Sequence, residues 1–102
     1  MKIQFYEGNI RIRISISDAE LLSNNSKLHL EFQQLVLSMN LGNYSAFEMK
    51  NSELSIILER EPFLIFLKSE TESFEFQQSN VIIRVEKDLA YFKTGFSLTS
   101  CQ

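Results

Sequence analysis

The sequence predicts an α+β domain: an antiparallel sheet from two β-α-β-β repeats, with two short helices packed on it. Residues 10–34 and 54–78 superpose without a gap, and both copies end in one tetrapeptide, Glu31-Phe32-Gln33-Gln34 and Glu75-Phe76-Gln77-Gln78. Of ten apolar positions in the first copy, eight meet an apolar residue in the second, among them Ile10/Leu54, Ile12/Ile56, Ala19/Phe63, Leu22/Phe66 and Phe32/Phe76. Strand-like alternation is interrupted once in each copy by a brief helical signal. Self-similarity of this kind sets an architecture before any single element is assigned.

Ile3 and Phe5 alternate with polar neighbours and open the chain as a short strand, and Gly8-Asn9 suits a tight hairpin. Ile10, Ile12, Ile14 and Ile16 then alternate with Arg11, Arg13, Ser15 and Ser17, which gives one β-branched face and one polar face. Ser17 with Glu20 three residues on reads as a capping box, and the spacing predicts a helix over 18–24. In the second copy Pro62 suits a first helical turn, predicting a helix over 62–69. Periodicity alone leaves Phe63-Leu64-Ile65-Phe66-Leu67 open to a buried strand, and the alignment with the first copy favours the helix.

After each helix a strand leads into the shared tetrapeptide. Leu28, Leu30 and Phe32 occupy even positions, whereas Leu35, Leu37 and Met39 occupy odd ones. A period of two cannot keep both sets on one face, so a turn or bulge falls at Gln33-Gln34. Gly42-Asn43 marks a further turn, 44–49 a strand, Lys50-Asn51-Ser52 a polar turn, and Leu54, Ile56 and Leu58 another strand. Val81, Ile83 and Val85 form a strand face, Lys87-Asp88 a turn, and 91–96 a last strand.

With 102 residues, 44% of them apolar, the chain is a single domain over 1–102 with an ordinary globular core. Ten basic against thirteen acidic residues give a net charge of −3, which argues against nucleic acid as a partner. The first residues lack the apolar stretch of a signal peptide. The longest apolar run, 63–67, is far too short to span a membrane. One cysteine, Cys101, permits no intramolecular disulfide and fits a reducing compartment, so the expected location is cytoplasmic. Near a terminus it reads as a frayed residue rather than a reactive thiol.

Chemistry-bearing residues are few. His29, the single imidazole, shares a strand face with Glu31, as a general base or an oriented ligand would require. A solvated strand face explains the pair equally well. Arg11 and Arg13 project from one face and could fork onto a carboxylate or phosphate. Their other reading is a cross-strand charge lattice with Glu31, Glu75 and Glu86, which the acid count favours. No zinc spacing, calcium loop, phosphate loop or nucleophile elbow occurs, so no metal or cofactor is expected.

The opening Met1-Lys2-Ile3, the run from Gly8-Asn9-Ile10-Arg11 to Ser15, and Asp18-Ala19-Glu20-Leu21 resemble the start of a family of small bacterial proteins without assigned activity. Val85-Glu86-Lys87-Asp88-Leu89 is similar to that family's late V-E-K-D-F segment, although Tyr91 and Phe92 stand where the family carries a cysteine. The resemblance covers about a third of the chain. It implies a fold and a bacterial origin, and supplies no catalytic residue.

These features point to a non-enzymatic protein-interaction module. One alternative is an immunity- or antitoxin-like acidic protein that binds a basic partner through Glu59, Glu61, Glu70 and Glu72. Another is a small-ligand binder or enzyme using His29 and Glu31 with Arg11 and Arg13. Self-association is also expected: Leu35-Val36-Leu37 is apolar on both faces, which predicts a homodimer with 35–39 or 81–85 near its interface.

Overall fold

The computed structural model describes residues 1–88 and contains eight strands and two helices. They are β1 (Lys2–Tyr6), β2 (Asn9–Ile14), α1 (Ile16–Asn25), β3 (Lys27–Phe32), β4 (Leu35–Gly42), β5 (Ala46–Lys50), β6 (Glu53–Glu59), α2 (Arg60–Lys68), β7 (Ser73–Gln78) and β8 (Val81–Lys87). The α+β class, the two short helices and a repeat-like organisation are present. The strands divide between two four-stranded sheets, the first ordered β1-β2-β8-β7 and the second β3-β4-β6-β5. Each unit opens with a strand the alignment had not included, β1 or β5, so it runs β-β-α-β-β.

Each sheet takes one hairpin from each unit. The hairpins pair antiparallel internally, and their inner strands join in parallel, β2 to β8 and β4 to β6. The sheets are therefore mixed rather than antiparallel throughout. Each helix carries the chain from one sheet to the other, which a tight turn cannot do. At the β1–β2 turn Glu7 and Gly8 both take positive φ, 38° and 79°, the geometry that matches hairpin twist. A side chain at Gly8 would also sit 3.1 Å from the Asn80 carbonyl.

The first helix starts two residues earlier than its sequence suggested. Ser15, not Ser17, caps it: the Ser15 hydroxyl accepts from the Asp18 N–H, and the Asp18 carboxylate accepts from the Ser15 N–H. The Met1 ammonium lies 3.6 Å from the same carboxylate, so Asp18 holds the chain start as well as the helix start. Residues 63–67 are helical, with Phe63, Phe66 and Leu67 buried and Pro62 in the first turn.

The gapless alignment holds through the helices and then slips. Lys2 pairs with Arg13 and Ala46 with Ile57, a shift of 44 on both partners. Lys27 pairs with Asn40 and Ser73 with Glu86, a shift of 46. Two extra residues before β7 make Gln78, not Phe76, the counterpart of Phe32. The shared tetrapeptide thus has two settings: Gln33-Gln34 form a turn, whereas Gln77 and Gln78 end a strand.

Seventeen buried apolar residues from both sheets and both helices form one cluster. Leu37, Met39, Ile83 and Val85 are fully covered within the single chain. The core-facing side of these strands packs into the cluster shared by both sheets, whereas Val36 and Ile82 on the opposite face are half-buried. Phe63 anchors the α2 side, edge-on to Phe74 at 5.3 Å and tilted against Phe66 at 5.5 Å.

Lys87 continues β8 rather than forming a turn, at the position Leu41 holds in the first unit, and is 5% exposed. Its ammonium donates to the Ser69 carbonyl and lies 4.6 Å from the Phe66 ring centroid. Burial lowers its pKa from the ordinary 10.5. The expected strand at 91–96 and Cys101 lie outside the described residues.

Two outcomes follow for stability. Phe63→Ala should cost about 3–5 kcal/mol in urea unfolding, because the site is enclosed on all sides. The lowered Lys87 pKa means the unfolded chain binds more protons than the folded one between that pKa and 10.5. Stability should therefore gain an increment as pH rises through that window and lose it as pH falls. Lys87→Met should flatten the slope of urea midpoint against pH there; equal slopes in both proteins would refute the assignment.

Candidate functional site: two polar faces and an open seam

Successive residues of a strand face opposite ways, so each sheet turns one set of side chains to the core and the other outward. The outward face of the first sheet carries the arginines. Glu86, 14% exposed at its side chain, receives Arg11 at 3.0 Å and Arg84 at 2.9 Å, and Arg84 also reaches Glu75 at 3.1 Å. The hydrogen bond that Arg11 donates to Glu86, then the charge of that carboxylate, raises the Arg11 pKa. Arg11 is thus committed to a carboxylate of its own chain, and the expected lattice is present here through Glu75 and Glu86, whereas Glu31 lies on the second sheet beside His29. Arg13 forms no ion pair among the described residues and lies beside Lys2.

His29 and Glu31 project from the second sheet instead. His29 Nε2 lies 3.8 Å from Glu31, and Nδ1 lies 3.2 Å from Ser38 Oγ. The Ser38 and Ser55 hydroxyls donate weakly to Glu53, at 3.5 and 3.4 Å. A serine beside a histidine invites a nucleophile reading. However, His29 and Glu31 side chains are 59% and 76% exposed. Ser38 stands on the interior strand β4, whose backbone N–H groups face neighbouring strands on both sides rather than a reacting oxyanion. Arg11 and Arg13 face outward from one sheet and His29 and Glu31 from the other, so the four do not converge. No group of three His, Cys, Asp or Glu suited to a metal occurs among the described residues.

The acidic residues also separate. Glu59 and Glu61 stand at the start of α2 and Glu70 and Glu72 beyond its end. Nine helical residues span about 14 Å, so the four form two pairs rather than one patch.

The edges of the sheets provide the remaining surface. Where β5 approaches β7, the Gln78 carboxamide bridges the two sheets. Its oxygen accepts from the Phe47 N–H and its nitrogen donates to the Phe47 carbonyl, both at 3.0 Å. Gln78 thereby satisfies an edge strand as a neighbouring strand would. At the corresponding seam between β1 and β3, the register puts Ile3 in place of Phe47 and Phe32 in place of Gln78. A phenyl ring cannot bond to either backbone group.

The direction of the ladder shows which groups of β1 are left over. The Gly8 and Ile14 carbonyls accept from Ile82 and Asp88, so even positions of β2 bond towards β8. Odd positions bond towards β1, where Arg13, Arg11 and Asn9 meet Lys2, Gln4 and Tyr6. Alternation then aims the N–H and C=O of Ile3 and Phe5 away from the sheet. Beside them opens a groove of about 630 Å³ lined by Met1, Ile3, Phe5, Phe32, Gln34 and Leu35. Phe5 and Phe32 are 48% and 38% exposed.

Sequence reasoning passed over Phe5, Phe32 and Gln78. The gapless alignment paired Phe32 with Phe76, and that hid the one substitution distinguishing the two seams. Comparison with protein-family models, curated proteins and solved structures finds no match to this chain.

The charge lattice has its own test. Glu75 is 46% exposed and holds one partner, whereas Glu86 is largely covered and holds two. Glu75→Gln should cost less than about 1 kcal/mol in urea unfolding, as exposed pairs do. Glu86→Gln should cost more than that, because it leaves two guanidiniums facing a neutral amide.

Proposed function

We propose that this protein is a non-enzymatic interaction module that takes an extended segment along the free edge of β1, over the apolar groove beside Phe32. The difference between the seams supports the reading most directly. One edge is bridged by Gln78, and its counterpart presents backbone groups without a partner among the described residues, next to half-exposed phenyl rings. A strand added there pairs its main chain with Ile3 and Phe5 and lays alternate side chains against Phe5, Phe32 and Leu35. Backbone pairing supplies affinity, and the groove supplies selectivity. Exposed aromatic rings beside an unpaired edge are what soluble domains ordinarily avoid unless something covers them.

The enzyme reading divides its residues between two separate concavities, one lined by Arg11 and Arg13 and the other by His29 and Ser38. The basic-partner reading lacks a single acidic surface.

Phe32→Gln imitates the closed seam and is the discriminating variant. In this account its carboxamide bonds to the Ile3 backbone, and an incoming strand finds that group taken. Affinity capture from the source cell should recover proteins on the wild type that are lost on Phe32→Gln. Equal recovery on both baits would place the working surface elsewhere.

A further inference from the structure

Resting on that reading, we propose that the strand completing the groove is β1 of a second copy, paired antiparallel about a two-fold axis through Gln4. The edge is self-complementary. Its outward backbone groups belong to odd positions, so an antiparallel partner must match odd with odd. Centring on Gln4 gives the longest overlap: Ile3 meets Phe5 of the second copy, Phe5 meets its Ile3, and both pairs are of the hydrogen-bonded kind. Two four-stranded sheets then become one of eight, with β1 and its copy in the middle.

Side chains agree with this register. Ile3 and Phe5 face the core side with their partners Ile12 and Ile10, so the second copy adds its own Ile3 and Phe5 over the groove. On the outer side Lys2 comes opposite Tyr6 of the second copy, next to the turn that carries Glu7. Lys2 and Glu7 are exposed and form no ion pair among the described residues. The axis sets each beside the other twice, and no like charges stand directly opposite. A two-fold contact of this kind closes on itself and leaves no further free edge at β1.

The test combines solution mass with amide exchange on the full chain. Light scattering at micromolar concentration should give twice the 11.9 kDa of one chain. Exchange at Ile3 and Phe5 should slow as concentration rises. Phe5→Pro removes an outward N–H and leaves the β1–β2 ladder intact, and Phe5→Lys keeps the N–H but puts a charge in the groove. Each should weaken association at least tenfold. Lys2→Glu and Glu7→Lys should each weaken it, and the double exchange should restore it.

A dimer indifferent to every one of these changes overturns the inference. A monomer with fast exchange at Ile3 and Phe5 overturns it too, and leaves the edge free for a foreign segment. A monomer with slow exchange there overturns both this inference and the proposed function, because the edge is then occupied from within.

Discussion

Parallel pairing of β2 with β8 and of β4 with β6 is the constraint on which the rest of the structure depends. Neither unit can finish a sheet alone, because its two hairpins are delivered to opposite sheets by its helix. A hairpin in isolation is marginal, and stability comes only when several strands share an apolar face. The first and last hairpins must therefore meet before the first sheet exists. Ile10, Ile12 and Ile14 then find Ile83 and Val85 alongside, with Leu54, Ile56 and Leu58 in the same core. Such long-range pairings carry a loop-closure cost that local contacts do not.

A pseudo-symmetric arrangement makes its departures informative, since each position has an internal control. Leu41 in one unit is Lys87 in the other, and the buried ammonium finds the Ser69 carbonyl and the Phe66 ring. Gln78 in one unit is Phe32 in the other, and the exchange turns a hydrogen-bonded closure into an apolar groove. The outward faces diverge as well. One is tied down by Glu86 and its two arginines, and the other carries a looser set around His29 and Ser38. Of these differences, only the Phe32 exchange leaves backbone groups without partners among the described residues.

Much of the fold was legible in the sequence, because strands with one buried face advertise themselves by alternation. The isoleucines of β2, the phase change at Gln33-Gln34 and the polar turn at Asn51-Ser52 all marked real elements. Periodicity does not say which sheet a hairpin joins, and a repeat read as one β-α-β-β unit suggests that its strands stay together. The helix start was misjudged because Ser15-Ile16-Ser17-Asp18 and Ser17-Asp18-Ala19-Glu20 both satisfy a capping pattern. Packing of the Met1 ammonium against Asp18, a contact remote in sequence, accompanies the first of them. The candidate site was least legible. An exposed edge is defined by which neighbour is missing, and the identical tetrapeptides drew attention to a match of letters where the structure has a mismatch of register.

Cross-strand proton contacts by nuclear magnetic resonance test the exchange of hairpins most directly. The account predicts contacts joining Ile12 to Val85 and Met39 to Ile56, in the pattern of parallel strands, together with contacts from the Gln78 side-chain amide to the Phe47 backbone. Contacts joining β2 to β4, or β6 to β8, would mean that each unit keeps its own hairpins in one sheet, and would contradict it.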